Sequence, residues 1–268
     1  MPRATRLTTT LLAALLLGGG ALAAIAETPI VTAKRNYERT TFTDAEIIDG
    51  FMKTAFGAEY QLAGRVDRIR KFQKPVRVFI NGAARPDRNR QIEHITSDIA
   101  RHIRHLDLAL TPQREGANLI VNLVPERDLD REIRKLYGTS NARKIRKSLD
   151  PQCLSGFRKN DDYEIEHSEV ILTVDNSEFV FLDCAYEEIL QSLGPINDTT
   201  SVPWTMFNDD VSMGFFDTYD RYLMNILYDP RIKAGMSADE VRPLLPAILK
   251  DVRAKITVHS APQRKTPH

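Results

Sequence analysis

The residues whose types and spacing carry the most chemistry lie between Cys184 and Asp198: Cys-Ala-Tyr-Glu-Glu-Ile-Leu-Gln-Ser-Leu-Gly-Pro-Ile-Asn-Asp. At ~100° per residue on a helix, Glu187, Glu188 and Gln191 share one polar sector. Glu187 and Gln191 are four apart, so they stack and present their oxygens to a common point. Gly194 lets the chain turn sharply, and Asn197 and Asp198 can return beside that point. Two neighbouring carboxyls in one cleft can separate their proton affinities and divide acid and base roles. The bland alternative is an amphipathic surface helix whose Glu and Gln face water.

Other catalytic signals are sparse. His94, His102 and His105 flank the apolar stripe of a long helix, His167 precedes a strand, and His259 and His268 lie near the end of the chain. None has metal-ligand spacing with another. There is no Gly-rich nucleotide loop and no Gly-x-Ser-x-Gly elbow. Tyr186, Trp204, Phe207, Phe215 and Phe216 cluster in sequence around the polar stretch, as core or as the wall of an apolar groove. Arg65 to Lys74 is basic and reads as a solvated face; attraction of an acidic partner is the alternative. Net charge is +1, which excludes bulk nucleic-acid binding as the main role.

Elements able to position the polar stretch follow from periodicity. Val76–Ile80, Asn118–Pro125 and Ser168–Asp175 read as strands. Helical spacing covers Asp44–Ala58, Asn89–Leu108, Asp128–Tyr137, Asp183–Leu193, Phe216–Tyr228 and Ala238–Ile256. Glu27–Thr43 reads as an arm and Arg143–Asn160 as a loop or excursion. This order describes an α+β domain with a small sheet between helices.

The start of the chain reads as a cleavable signal peptide. Arg3 and Arg6 precede the apolar run Leu11–Leu17, three glycines follow, and Ala24-Ile25-Ala26 offers small residues at the cleavage positions. The competing reading is an uncleaved anchor over Leu7–Ala26. With cleavage after Ala26 no membrane span remains, and the protein is expected in the periplasm or outside the cell. In that setting the two cysteines, Cys153 and Cys184, are expected to pair, with free thiols as the alternative.

The segment from Glu187 matches, position for position, the metzincin metallopeptidase pattern His-Glu-x-x-His-x-x-Gly-x-x-His/Asp. Glu187 stands at the first histidine, Glu188 at the general-base glutamate, Gln191 at the second histidine, Gly194 at the glycine and Asn197 at the third ligand, with Asp198 adjacent. Thr205-Met206-Phe207-Asn208-Asp209 resembles the Met-turn, with Met206 or Phe207 at the methionine. Phe216-Asp217-x-x-Asp220 and Ile226–Asp229 resemble the helix after it. The chain also resembles an uncharacterised family of exported bacterial proteins that shares Glu-Glu-x-x-Gln-x-x-Gly-x-x-Asn-Asp and Asp-Pro-Arg-Ile-Lys-x-Gly-Met, here Asp229–Met236.

The resemblance implies a zincin-like frame over 73–258, after an N-terminal arm and helix at 27–72 and before a disordered tail at 259–268. It also implies loss of the zinc site. Metzincin zinc is held by three imidazoles and acidifies its water. Gln191 and Asn197 offer amide oxygens and Glu187 one carboxylate, a set better suited to calcium or magnesium. The expected function is a non-catalytic binding module of the cell envelope, with no metal and no cofactor and with a peptide, protein or envelope partner. The alternatives are a hydrolase using Glu187 and Glu188, with or without a non-zinc ion, and a purely structural envelope protein.

Overall fold

The computed structural model describes residues 28–57, 67–82, 86–148, 152–195 and 197–260. The segment read as a signal peptide and the residues beyond 260 lie outside them. The N-terminal arm contains helix α1 (Pro29–Asn36), capped by Thr28. Only Val31 of this helix is buried, so no apolar period marked it. Helix α2 (Asp44–Ala55) follows, with Thr43 and Glu46 forming a capping box.

The chain then builds β1 (Val76–Asn81), α3 (Pro86–His102), β2 (Leu108–Leu110), β3 (Leu119–Val124), α4 (Leu129–Ser148), β4 (Cys153–Lys159), β5 (Ile165–Thr173) and α5 (Glu178–Gln191). The five strands form one mixed sheet in the order β2-β1-β3-β5-β4. All neighbours are parallel except β4, which runs antiparallel to β5 at the edge. Helix α6 (Thr218–Leu227), the single turn α7 (Ala238–Val241) and α8 (Leu245–Ser260) complete the order.

Alternation along the strands divides two cores. Val76, Val78, Leu119, Val121, Val170 and Leu172 pack with α3, α5 and α6 in the larger one. Leu154, Ile171 and Val124 meet Leu129, Ile133 and Ile145 of α4 in the smaller one.

Several sequence expectations are corrected. The excursion at 143–160 is the end of α4 followed by strand β4. The helix expected up to Tyr137 does end there, at Gly138, whose φ 77 and ψ 159 are not helical, and a second helical run within α4 continues to Ser148. Helix α3 stops at His102 rather than Leu108. Asn225 caps its end, accepting from Arg104 N and donating to the His102 carbonyl, and His105 lies beyond it with φ 62. The final helix is interrupted at Arg242–Leu244, where Pro243 offers no N–H. The solvated-face reading fails for Arg70 and Lys71, which are buried. Lys71 Nζ donates to the carbonyls of Leu227 at 2.7 Å and Ile232 at 3.0 Å, closing the end of α6. The Asp229–Met236 segment pairs with the same stretch through Ile69 N to Met236 O and Gly235 N to Ile69 O.

Candidate functional site

Helix α5 begins at Glu178 rather than at the expected Asp183, and its middle is tied to the edge strand by the Cys153–Cys184 disulfide. The expected pairing is therefore present. Asp183, Glu187 and Gln191 follow one another at four-residue steps, so they line one stripe of the helix. Glu188 is almost fully buried and lies one turn beyond Cys184, on the side of the helix bridged to β4.

The turn after α5 brings the next donors in. Gly194 has φ +147, and a Cβ there would lie 2.4 Å from the Arg70 carbonyl and 3.0 Å from Leu227 Cδ2, so only glycine fits. Tyr228 Oη donates to the Leu193 carbonyl and Ser168 Oγ to the Ser192 carbonyl, each at 2.8 Å. Beyond the turn the two candidate residues diverge. Asn197 Nδ2 donates to the Lys53 carbonyl at 2.7 Å, fastening the segment to α2. Asp198 turns to the site, where its Oδ1 accepts from Gln191 Nε2.

A third carboxylate, unmarked by the motif, completes the site. Carboxylate oxygens of Glu187, Asp198 and Asp209 all lie within 4.8 Å of one another. Glu187 and Asp198 are half-buried and Asp209 is exposed. Burial, followed by the charges of Glu188, Asp198, Asp183 and Asp209, holds the Glu187 carboxyl well above its ordinary range.

The Met-turn-like segment places Asp209. Thr199 N donates to the Phe207 carbonyl at 2.9 Å. Asn208 Nδ2 donates to Val202 O, and its Oδ1 accepts from Asp210 N. Met206 and Phe207 are buried and therefore fix the turn by packing. Beneath them Asp220 is fully buried and accepts from Thr205 Oγ1 and, at 2.8 Å, from Met206 N. Asp217 caps α6 through the N–H of Asp220 at 2.9 Å. Of the aromatic cluster, Tyr186, Phe207, Phe215 and Phe216 are core, while Trp204 stays 37% exposed with the Arg39 guanidinium 4.3 Å above its ring.

The convergent donors are carboxylates and one amide. They do not fit a zinc ion of the metzincin kind, which needs three imidazoles; three clustered carboxylates match the oxygen preference of calcium or magnesium. Of the residues singled out by spacing, the structure brings Glu187, Gln191 and Asp198 together. Spacing missed Asp183 and Asp209, whose only signals were the four-residue step before Glu187 and the Asn-Asp-Asp run after the turn.

Fold and site together define an α/β protein with a mostly parallel five-stranded sheet and an acidic site on the second half of its central helix. Within that class the chain belongs to the family described as Protein of unknown function (DUF2927), whose sequence model matches residues 44–247. The match begins with α2, spans the sheet and the site, and reaches α8; it carries no metzincin assignment. Comparison with curated proteins and with solved structures finds no match.

Proposed function

We propose that this protein is an exported, non-catalytic binding module of the cell envelope, built on a metzincin-like frame whose second zinc seat is closed by a hydrogen bond between side chains. The hydrogen bond from Gln191 to Asp198 carries this reading: the side chain at the second ligand position is satisfied by the residue next to the third. The glycine turn after α5 and the burial of Met206 in the segment that follows support the frame in this reading. Export is supported by the Cys153–Cys184 disulfide, since such bonds persist in oxidising compartments. Among the described residues no helix is long and apolar enough to cross a membrane.

Without a Lewis acid at the site, Glu188 has no acidified water to deprotonate. The partner is a peptide, a protein or an envelope polymer held along the old substrate cleft. Hydrolysis assays on casein and peptidoglycan test this. The expected result is no turnover by the mature protein, and turnover abolished by Glu188→Gln would overturn the reading.

A second reading is favoured by the convergence of Glu187, Asp198 and Asp209. The repulsion among these carboxylates is relieved either by a proton, as the raised Glu187 pKa reflects, or by a cation among them, and calcium or magnesium fits such an oxygen set. Calorimetric uptake of one calcium per chain, lost in Asp209→Asn, would select this reading over the first.

A further inference from the structure

The end of α3 meets α6 and α8 around a pocket of about 140 Å³. Arg101, His102 and Arg104 line it from the end of α3 and the turn after it, Arg221 from α6, and Lys255 from α8. Four permanent cations from three parts of the chain thus share one small concavity. Glu38 and Asp217 act on Arg221 electrostatically, and the carboxylate bonded to the end of α3, Asp98, is already engaged. Its oxygens contact His102 Nδ1 at 3.1 Å, Tyr186 Oη at 3.1 Å and Arg101 at 3.4 Å.

Two of the guanidinium groups lack matching acceptors. Arg221 Nε is enclosed and makes no hydrogen bond, which costs free energy because an enclosed N–H has given up its water. Burial, the largest cause, holds the Arg221 pKa below the usual guanidinium range. Arg104 makes no side-chain hydrogen bond or ion pair among the described residues. The positive field reaches His105, whose pKa is lowered by burial first and then by Arg104 and Lys255. Helix-end compensation explains Arg101 and His102, which sit in the last turn of α3. It does not explain Arg221 or Lys255, which come from other helices.

We propose that this pocket binds a phosphate group, as inorganic phosphate or as the exposed end of a phosphomonoester. Guanidinium forks match tetrahedral oxyanions in charge and geometry. The volume suits one such group, being well below the roughly 300 Å³ at which larger ligands are enclosed. Asn225 is not a free donor: its amide holds the His102 carbonyl and the Arg104 N–H, which fixes the backbone that carries the cations. The proposal does not depend on the acidic site or on the metzincin-like reading.

Calorimetric titration of the mature protein with inorganic phosphate at constant ionic strength tests it. One saturable site is expected, weakened at least about tenfold in Arg221→Gln and in Arg104→Gln, with acetate giving no saturable heat. Arg131→Gln, on the exposed face of α4, is expected to bind as wild type. Absence of saturation overturns the proposal, as does binding unchanged in the exposed Arg104→Gln variant, which retains the fold even if Arg221→Gln does not. Vesicles of phosphatidylcholine with and without phosphatidic acid then identify the source. Phosphate-competable sedimentation with the phosphatidic acid vesicles alone points to a lipid-borne phosphomonoester; saturable phosphate binding without sedimentation points to a soluble one.

Discussion

At the scale of single residues, the buried carboxyls beneath the Met206 turn make a sharp test. Asp217 and Asp220 are 2% and 0% exposed. Burial and the neighbouring Asp220 charge hold Asp217 well above its ordinary range. Burial pushes Asp220 up to about 6, against the hydrogen bonds from Met206 and Thr205 that favour its charge. Both folded pKa values exceed the unfolded ones. Their contribution to stability is therefore fully present below about pH 4 and is lost as pH rises through about 6 and above. Asn caps helices as well as Asp does. Asp217→Asn should thus keep the cap and flatten the fall in melting temperature above pH 4, measured as Tm against pH beside wild type. An unchanged slope would show that the pair titrates normally. At Gly194 the backbone contact with Arg70 leaves no room, and Gly194→Ala should cost more than about 2 kcal/mol in urea denaturation.

Residue identity in the site was only partly legible from sequence. Ligand spacing gave Asn197 and Asp198 equal access to the point beneath Gln191. The lone carbonyl of Lys53 on α2 separates them, because it takes the Asn197 amide, and nothing near Asn197 in sequence announces it. Asp209 was hidden in the same way, since its approach depends on how Asn208 and Asp220 fold the turn.

At the scale of elements, strong periodicity was reliable and weak periodicity was not. β1, β3 and β5 carry continuous buried apolar faces and were legible. β4 reads Cys-Leu-Ser-Gly-Phe-Arg-Lys, the polar and glycine-bearing composition of an edge strand. α1 buries one residue and owes its place to contacts such as Arg35 over the Phe215 ring at 4.0 Å. The disulfide is the element-level device with the clearest energy. It joins β4 to α5 across a sequence separation of 31, and the chain-entropy model gives roughly 3–4 kcal/mol for such a loop. Replacing both cysteines by Ser should lower the unfolding free energy by that order in guanidinium titrations. Equal midpoints with and without reductant would remove the disulfide from the account of α5 placement.

At the scale of the molecule, two opposite electrostatic features share one fold. Acidic side chains gather where α5 meets the Met206 turn, and basic ones gather where α3 ends against α6 and α8. On the metallopeptidase-like frame we propose, the first supplies oxygens where imidazoles would be needed, and the second is independent of it. The metal content of the purified mature chain tests the central claim most directly. Elemental analysis after dialysis against zinc should find far less than one zinc per chain, whereas one tightly held zinc, released by Glu187→Ala, would contradict the account.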